Sequence, residues 1–224
     1  MNRETESEQH LRAVVFDVDG TLIDSTDAIV ECFLRTFRDL AVLAPTRDTI
    51  IHGISRPVED QFRDLTDHDP DECAAIYRTH YAEIGCDMTV LLPRVGVGLA
   101  RLAAAGLRLG IATSRSREST EMLLEHFGVF HYFDCCIGPG QVTHPKPHPE
   151  PVLKALKLLD TATVHACFVG DTKYDINAAH AAGVRSIAVT TGYASRSELL
   201  KLCPDAVFDG IEAAIDYILS LSRP

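Results

Sequence analysis

Four apolar residues in a row, Ala13-Val14-Val15-Phe16, stand between the polar Arg12 and Asp17. A short unbroken apolar run stopped by turn residues predicts a parallel strand buried on both faces. The pattern then changes period. Ile29, Phe33 and Phe37 recur at every fourth position, with Val30 and Leu34 beside them. That is the apolar stripe of a helix of about three to four turns. Asp24 or Ser25 is placed to cap its start. A second helical piece follows Ser55, with Pro57 in its first turn and Val58, Phe62 and Leu65 on one face. A third opens on Asp69-Pro70-Asp71-Glu72, a capping sequence with proline at the first helical position. Its stripe is Cys73, Ile76, Tyr77, Tyr81 and Ile84, and Gly85 is the expected stop.

From Leu91 onward short apolar runs alternate with helical stretches. Strands are predicted at 107–112, 134–137, 166–169, 186–189 and 206–208, and helices at 95–105, 118–127, 151–159 and 174–182, with a last helix at the C-terminus. Strand–helix alternation implies an α/β fold, a doubly wound parallel sheet with helices on both faces. The expected division is a tail at 1–10, an α/β core at 11–24 and 89–224, and an inserted all-helical cap domain at 25–88. A module inserted just after the first strand hangs over the C-terminal edge of the sheet, the position of a lid.

Length and composition narrow the function. The 224 residues, 46% of them hydrophobic, suffice for a sizeable core. A net charge of −11 argues against nucleic acid or an anionic membrane as partner, since both call for basic surface. No stretch has the length and apolarity of a membrane-spanning helix. The polar segment Met1 to His10 lacks the apolar region of a signal peptide and reads as a disordered tail, so the expected compartment is cytoplasmic. Seven cysteines, an odd number without a CxxC pair, suggest neither a disulfide framework nor a zinc cage.

Chemistry-bearing residues gather at the predicted strand ends. The first strand ends in Asp17-Val18-Asp19-Gly20-Thr21, the next in Thr113-Ser114, and a later one in Gly170-Asp171, with Asp175 four residues on. Lys146 lies in the proline-rich loop His144-Pro145-Lys146-Pro147-His148-Pro149. Ligands of open α/β sheets bind at this edge. Each residue alone has an ordinary reading: a polar turn, a β-branched strand end, a solvated loop lysine, an acid complementing a helix dipole. Together they put four carboxylates, hydroxyls and one amine at a single edge.

This set of motifs resembles the haloacid dehalogenase superfamily of phosphotransferases, in the branch with a helical cap inserted after the first motif. The likeness spans the chain from about Arg12 to the C-terminal helix. It implies Asp17 as nucleophile and Asp19 as acid/base, with Thr113 holding phosphoryl oxygens and Lys146 neutralising charge. It also implies Mg²⁺ held by Asp17, Asp19, Asp171 and Asp175. Gly20, Thr21, Ser114 and Arg56 are the further candidates for substrate binding. An aspartate at position 19 resembles the phosphatases of the superfamily and not its dehalogenases. Asp19 needs a raised pKa to donate a proton near neutral pH, and nearby carboxylates are expected to raise it.

A phosphate dianion beside three carboxylates concentrates negative charge. Each like-charge pair at ~4 Å costs about 4 kcal/mol at an effective dielectric of 20. A cation is therefore required, and Mg²⁺ suits oxygen ligands. The expected substrate is a small phosphorylated metabolite. Gly170-Asp171-Thr172-Lys173-Tyr174-Asp175 looks most like phosphoglycolate phosphatases and related pyrophosphatases. The stretch Gly53-Ile54-Ser55-Arg56 resembles the cap of β-phosphoglucomutases, which carry a histidine where this chain has Ile29. Hydrolysis of a phosphomonoester is thus expected. The alternatives are a sugar-phosphate mutase, an inorganic pyrophosphatase, or a non-catalytic binding protein on the same scaffold. The assembly expected is a monomer or homodimer. Arg94 stands where relatives often have glycine after the proline, which bears on the hinge.

Overall fold

A computed structural model describes residues 10–222. All but the last residue of the expected N-terminal tail lie outside that range. Six parallel strands form the central sheet: β1 (Ala13–Phe16), β4 (Arg108–Ala112), β5 (Cys135–Ile137), β6 (Ala166–Gly170), β7 (Arg185–Val189) and β8 (Ala206–Phe208). Their spatial order is β5-β4-β1-β6-β7-β8. β1 pairs with β4 through Val14↔Leu109 and with β6 through Val14↔Cys167. The run Ala13 to Phe16 is fully buried, as its unbroken apolar character requires.

The two faces of the sheet bury different residues. Val14 and Phe16 pack on a core that includes Leu99 and Leu102 of α5 (Val95–Ala104) and Ile215 and Ile218 of α10 (Ile211–Ser222). Ala13 and Val15 face the other way, onto Val152 and Leu156 of α7 (Glu150–Leu158) and Ala178 and Ala179 of α8 (Lys173–Ala182). Helices therefore cover both faces, as the alternation predicts.

Between β1 and α5 stand four helices: α1 (Thr26–Asp39), α2 (Arg47–Gly53), α3 (Val58–Leu65) and α4 (Pro70–Met88). Aromatic rings join three of them. Phe33 stacks on Phe62 with centroids 4.6 Å apart, and Tyr77 lies 5.1 Å from Phe33. Such pairs add about 0.5–1.5 kcal/mol each beyond the area they bury.

The chain departs from the sequence pattern in three places. A two-stranded antiparallel ribbon, β2 (Ile23–Asp24) with β3 (Val90–Leu91), ties the entry to the helical insertion to its exit. Helix α2 was not expected; Thr46 caps it by accepting from the Thr49 N–H. His52 and Gly53 are the last residues of this helix. Gly85 does not stop α4, which runs on to Met88. A Cβ at Gly85 would sit 2.3 Å from Tyr81 Cε1, so the glycine makes room for that ring inside the helix. At the start of α1, Asp24, one of the two expected caps, accepts from the Thr26 N–H at 3.0 Å, and the Ser25 side chain makes no cap bond.

Arg94 takes up the left-handed conformation, φ +69°, just before α5. That region favours glycine. Its side chain reaches Glu212 with Nε 3.0 Å from Oε1, so the position carries an ion pair in exchange for backbone strain.

Candidate active site

The winding of the sheet reverses at β1. The chain moves outward through β4 and β5, then crosses back to lay β6 on the opposite side of β1. The crevice above β1 and β6 is the place where such sheets bind ligands. Asp17 and Asp171 are the first residues past these two strands. Asp17 extends the pairing, its N–H donating to Val169 O at 2.9 Å.

Three carboxylates converge there. Asp17, Asp171 and Asp175 place oxygens within 4.8 Å of one another. All are buried, with 2%, 0% and 1% of their surface exposed. Lys146 enters from its proline-rich loop, 4% exposed, with Nζ 2.8 Å from Asp17 Oδ1 and 2.7 Å from Asp175 Oδ1. One amine does not balance three carboxylates. Burial pushes the Asp17 carboxyl up to about 7, against Lys146 and with help from Asp175. Burial and the charges of Asp175 and Asp17 likewise raise Asp171 well above the carboxylate range. Lys146 is held above the usual lysine range, because Asp17 and Asp175 outweigh its own burial.

The surrounding backbone is shaped to hold Asp171. Its Oδ1 accepts from Thr21 Oγ1 at 3.2 Å and its Oδ2 from the Tyr193 N–H at 2.8 Å. Gly20, at φ +79°, and Gly192 flank the carboxylate. A Cβ on Gly20 would lie 2.5 Å from Oδ2, and one on Gly192 1.9 Å from it. Thr21 and Gly20 are engaged within the protein. The Thr21 hydroxyl is committed to Asp171, and the Gly20 N–H donates to Ile23 O at 2.8 Å.

Asp19 corrects one expectation. Its carboxylate stands outside the three-acid cluster. Arg115 forks onto it, with Nη2 2.6 Å from Oδ1 and Nε 3.0 Å from Oδ2, and the Ser25 hydroxyl donates to Oδ1. Burial alone would raise this carboxyl; Arg115, then Ser25, overcome it and hold Asp19 below the usual range. The expected upward shift falls on Asp17 and Asp171 instead. Arg115 also lies over the face of Tyr81, 4.4 Å from the ring centroid, and donates to Ser119 Oγ at 2.9 Å. A cation over an aromatic face gains about 0.5–2 kcal/mol. Sequence reading missed Arg115. The available signal was its place two residues past Thr113, on the same strand end.

A cavity of about 790 Å³ opens above these groups. Asp17, Asp19, Thr113, Ser114 and Arg115 form its floor, and Ile29, Ile54, Ser55, Arg56, Tyr77 and Tyr81 line it from the helical insertion. Thr113 Oγ1 accepts from the Arg115 N–H at 3.1 Å. The Ser114 hydroxyl donates to Ser55 O at 2.7 Å, joining the core to the insertion. Arg56 borders the cavity, but its guanidinium pairs with Asp64 at 2.7 Å and reaches Asp60 O at 3.3 Å.

The sequence model of the haloacid dehalogenase-like hydrolases matches residues 14–189. The chain belongs to this family. Among curated relatives, a phosphoglycolate phosphatase of Colwellia psychrerythraea is 30% identical, over 96% of this chain and 99% of its own length. A pyrophosphatase, PpaX, of Bacillus mycoides is 31% identical, over 95% of this chain and 98% of its own. A solved haloacid dehalogenase-like family hydrolase of Streptococcus pneumoniae superposes with a TM-score of 0.81 at 29% identity, covering 92% of this chain and 98% of that one. Among the described residues, no helix is long and apolar enough to cross a membrane.

Proposed function

We propose that this haloacid dehalogenase-like hydrolase is a Mg²⁺-dependent cytoplasmic phosphatase of a small phosphorylated metabolite, with a phosphoglycolate-like phosphomonoester favoured. The observation that carries this reading is the buried meeting of Asp17, Asp171 and Asp175 with Lys146 under an open cavity. Three buried carboxylates against one lysine leave an excess of negative charge, and an all-oxygen set suits a hard divalent cation. Asp17, Asp171 and Asp175 would hold Mg²⁺. When bound, the ion supplies charge stabilisation for the phosphoryl oxygens and keeps Asp17 ionised.

Asp17 attacks phosphorus in line, the ester bond to the leaving oxygen breaks, and the phosphoryl group rests on the Asp17 carboxylate. Thr113 and Ser114 orient the phosphoryl oxygens, and Lys146 neutralises their charge. Asp19 gives a proton to the leaving alkoxide and later takes one from the water that releases phosphate. Asp19 starts ionised in the grip of Arg115. An anionic substrate draws the guanidinium to itself, and Asp19, freed from it, takes from solvent water or from a monoprotonated phosphate the proton that it gives to the leaving oxygen. Residues 25–88 act as the cap, with the β2–β3 ribbon as its hinge.

A pyrophosphatase is the second reading. The PpaX relative favours it, as do Arg56, Arg78, Arg115 and Arg117 around the cavity, which match a second phosphate. Mutase chemistry has less support, since the apolar Ile29 lines the cavity where such enzymes carry a histidine. Phosphate release from phosphoglycolate, pyrophosphate and hexose phosphates, with and without Mg²⁺, separates these readings. Mg²⁺-dependent release from a monoester supports the proposal. Release from pyrophosphate alone transfers it to the second reading, and no release from any member overturns both.

A further inference from the structure

The loop that presents Lys146 has a second side. Along His144-Pro145-Lys146-Pro147-His148-Pro149-Glu150 the lysine points inward, while His144 and His148 are exposed. Glu150 is the first residue of α7. His144 Nδ1 lies 3.1 Å from Glu150 Oε2. His148 Nδ1 lies 3.2 Å from the Glu150 N–H, and the two imidazole rings are 4.6 Å apart. Both rings are therefore turned toward Glu150. The three side chains offer ligand atoms within 4.8 Å of one another.

We infer that His144, His148 and Glu150 form a second divalent-cation site, for Zn²⁺ or a cation of similar borderline softness. The site has no part in the phosphatase reading and stands or falls without it. The donor set is two imidazoles and one carboxylate, which suits Zn²⁺, whereas Mg²⁺ prefers oxygen alone. Three protein ligands leave a fourth position for water, as in open zinc sites. Ligand atoms of a tetrahedral zinc site stand about 3.4 Å apart, given bonds of about 2.1 Å. Small rotations of exposed imidazoles close the remaining gap.

The carboxylate is already in place. Glu150 accepts from the N–H groups of Thr143 and His144, both at 2.9 Å, which fixes its orientation. Three prolines restrict the backbone between the ligands, so little chain entropy is lost on binding. The cation replaces the hydrogen that His144 shares with Glu150. A chelate here joins residues on both sides of Lys146 to the start of α7 and holds the lysine loop as one piece.

The test is Zn²⁺ titration of the full chain against a chromophoric chelator, in excess Mg²⁺ so that the three-carboxylate cluster is not the site read. One Zn²⁺ per chain is expected, with affinity reduced at least tenfold in His144→Gln and in His148→Gln. Co²⁺ in place of Zn²⁺ should give visible absorption bands that both variants lose. Both positions are exposed, so the variants should fold, and circular dichroism checks this. Equal Zn²⁺ affinity in the wild type and both variants overturns the inference. So does binding that thiol alkylation removes and the histidine variants keep, because the cysteines would then be the ligands.

Discussion

Gly192→Ala attacks the Asp171 cradle without touching a charge. The added methyl would sit 1.9 Å from Asp171 Oδ2 and 2.4 Å from its Cγ. Ordinary contact begins near 3.4 Å, so the carboxylate must retreat by about 1.5 Å. The methyl cannot shift the other way, because the Gly20 backbone stands 2.8 Å off. Retreat breaks the 2.8 Å hydrogen bond from the Tyr193 N–H. Overpacking of this kind costs about 1–3 kcal/mol. For a chain of this size that lowers the thermal midpoint by about 2–12 °C. A misplaced ligand weakens metal affinity by about 10–100-fold, as loss of orienting contacts does elsewhere. The assay is phosphate release against Mg²⁺ concentration, beside thermal unfolding with and without Mg²⁺. Gly210→Ala is the control, since a Cβ there meets nothing within 4 Å. Wild-type Mg²⁺ dependence in Gly192→Ala would refute the placement of Asp171 at the metal.

Arg115→Gln leaves the Asp19 carboxylate buried without its counter-charge, at a cost of about 3–5 kcal/mol near pH 7. Asp19 has a depressed folded-state pKa, so the stability it contributes is present above the unfolded value of 3.8 and lost as pH falls. The fall in thermal midpoint should therefore be larger at pH 7 than at a pH well below 3.8, and an equal fall at both counts against the pairing. Asp17 has the opposite sign: its folded value of about 7 exceeds the unfolded 3.8. Its contribution is complete below 3.8 and lost as pH rises through 7, so metal-free protein should lose stability between pH 5 and 8 by more than Asp17→Asn does. Mg²⁺ should then stabilise more at pH 8 than at pH 5, and a Mg²⁺ effect indifferent to pH speaks against ionised carboxylates as ligands. Asp19→Asn should lower turnover by about 10²–10⁴ while the protein still binds Mg²⁺.

The sheet and the site were legible to different depths. An apolar run ending in Asp17 is a local signal, and so are Thr113, Gly170-Asp171 and the proline-flanked Lys146. The first three lie at strand ends, where position alone gives direction, and prolines mark the loop of Lys146. The β2–β3 ribbon escaped notice because strands of two residues have no period to read. Gly85 misled because its use is packing against Tyr81, not chain termination. Thr21 and Gly20 serve Asp171, some 150 positions away in sequence, and no local pattern reports such a partner. The clearest gap was the pair Asp19 and Arg115. Two acids separated by one residue suggest mutual repulsion, yet each acquired its own cation, Lys146 for Asp17 and Arg115 for Asp19. Which carboxyl keeps a proton depends on those partners, which only the fold brings together.

The central claim is that Asp17 takes the phosphoryl group. Mixing the enzyme with Mg²⁺ and a ³²P-labelled monoester that it turns over, then quenching in acid within one turnover, tests it directly. The label should appear on the peptide containing Asp17, be released by hydroxylamine as an acyl phosphate is, and be missing from Asp17→Asn. Label on another residue, or undiminished turnover by Asp17→Asn, would contradict the account.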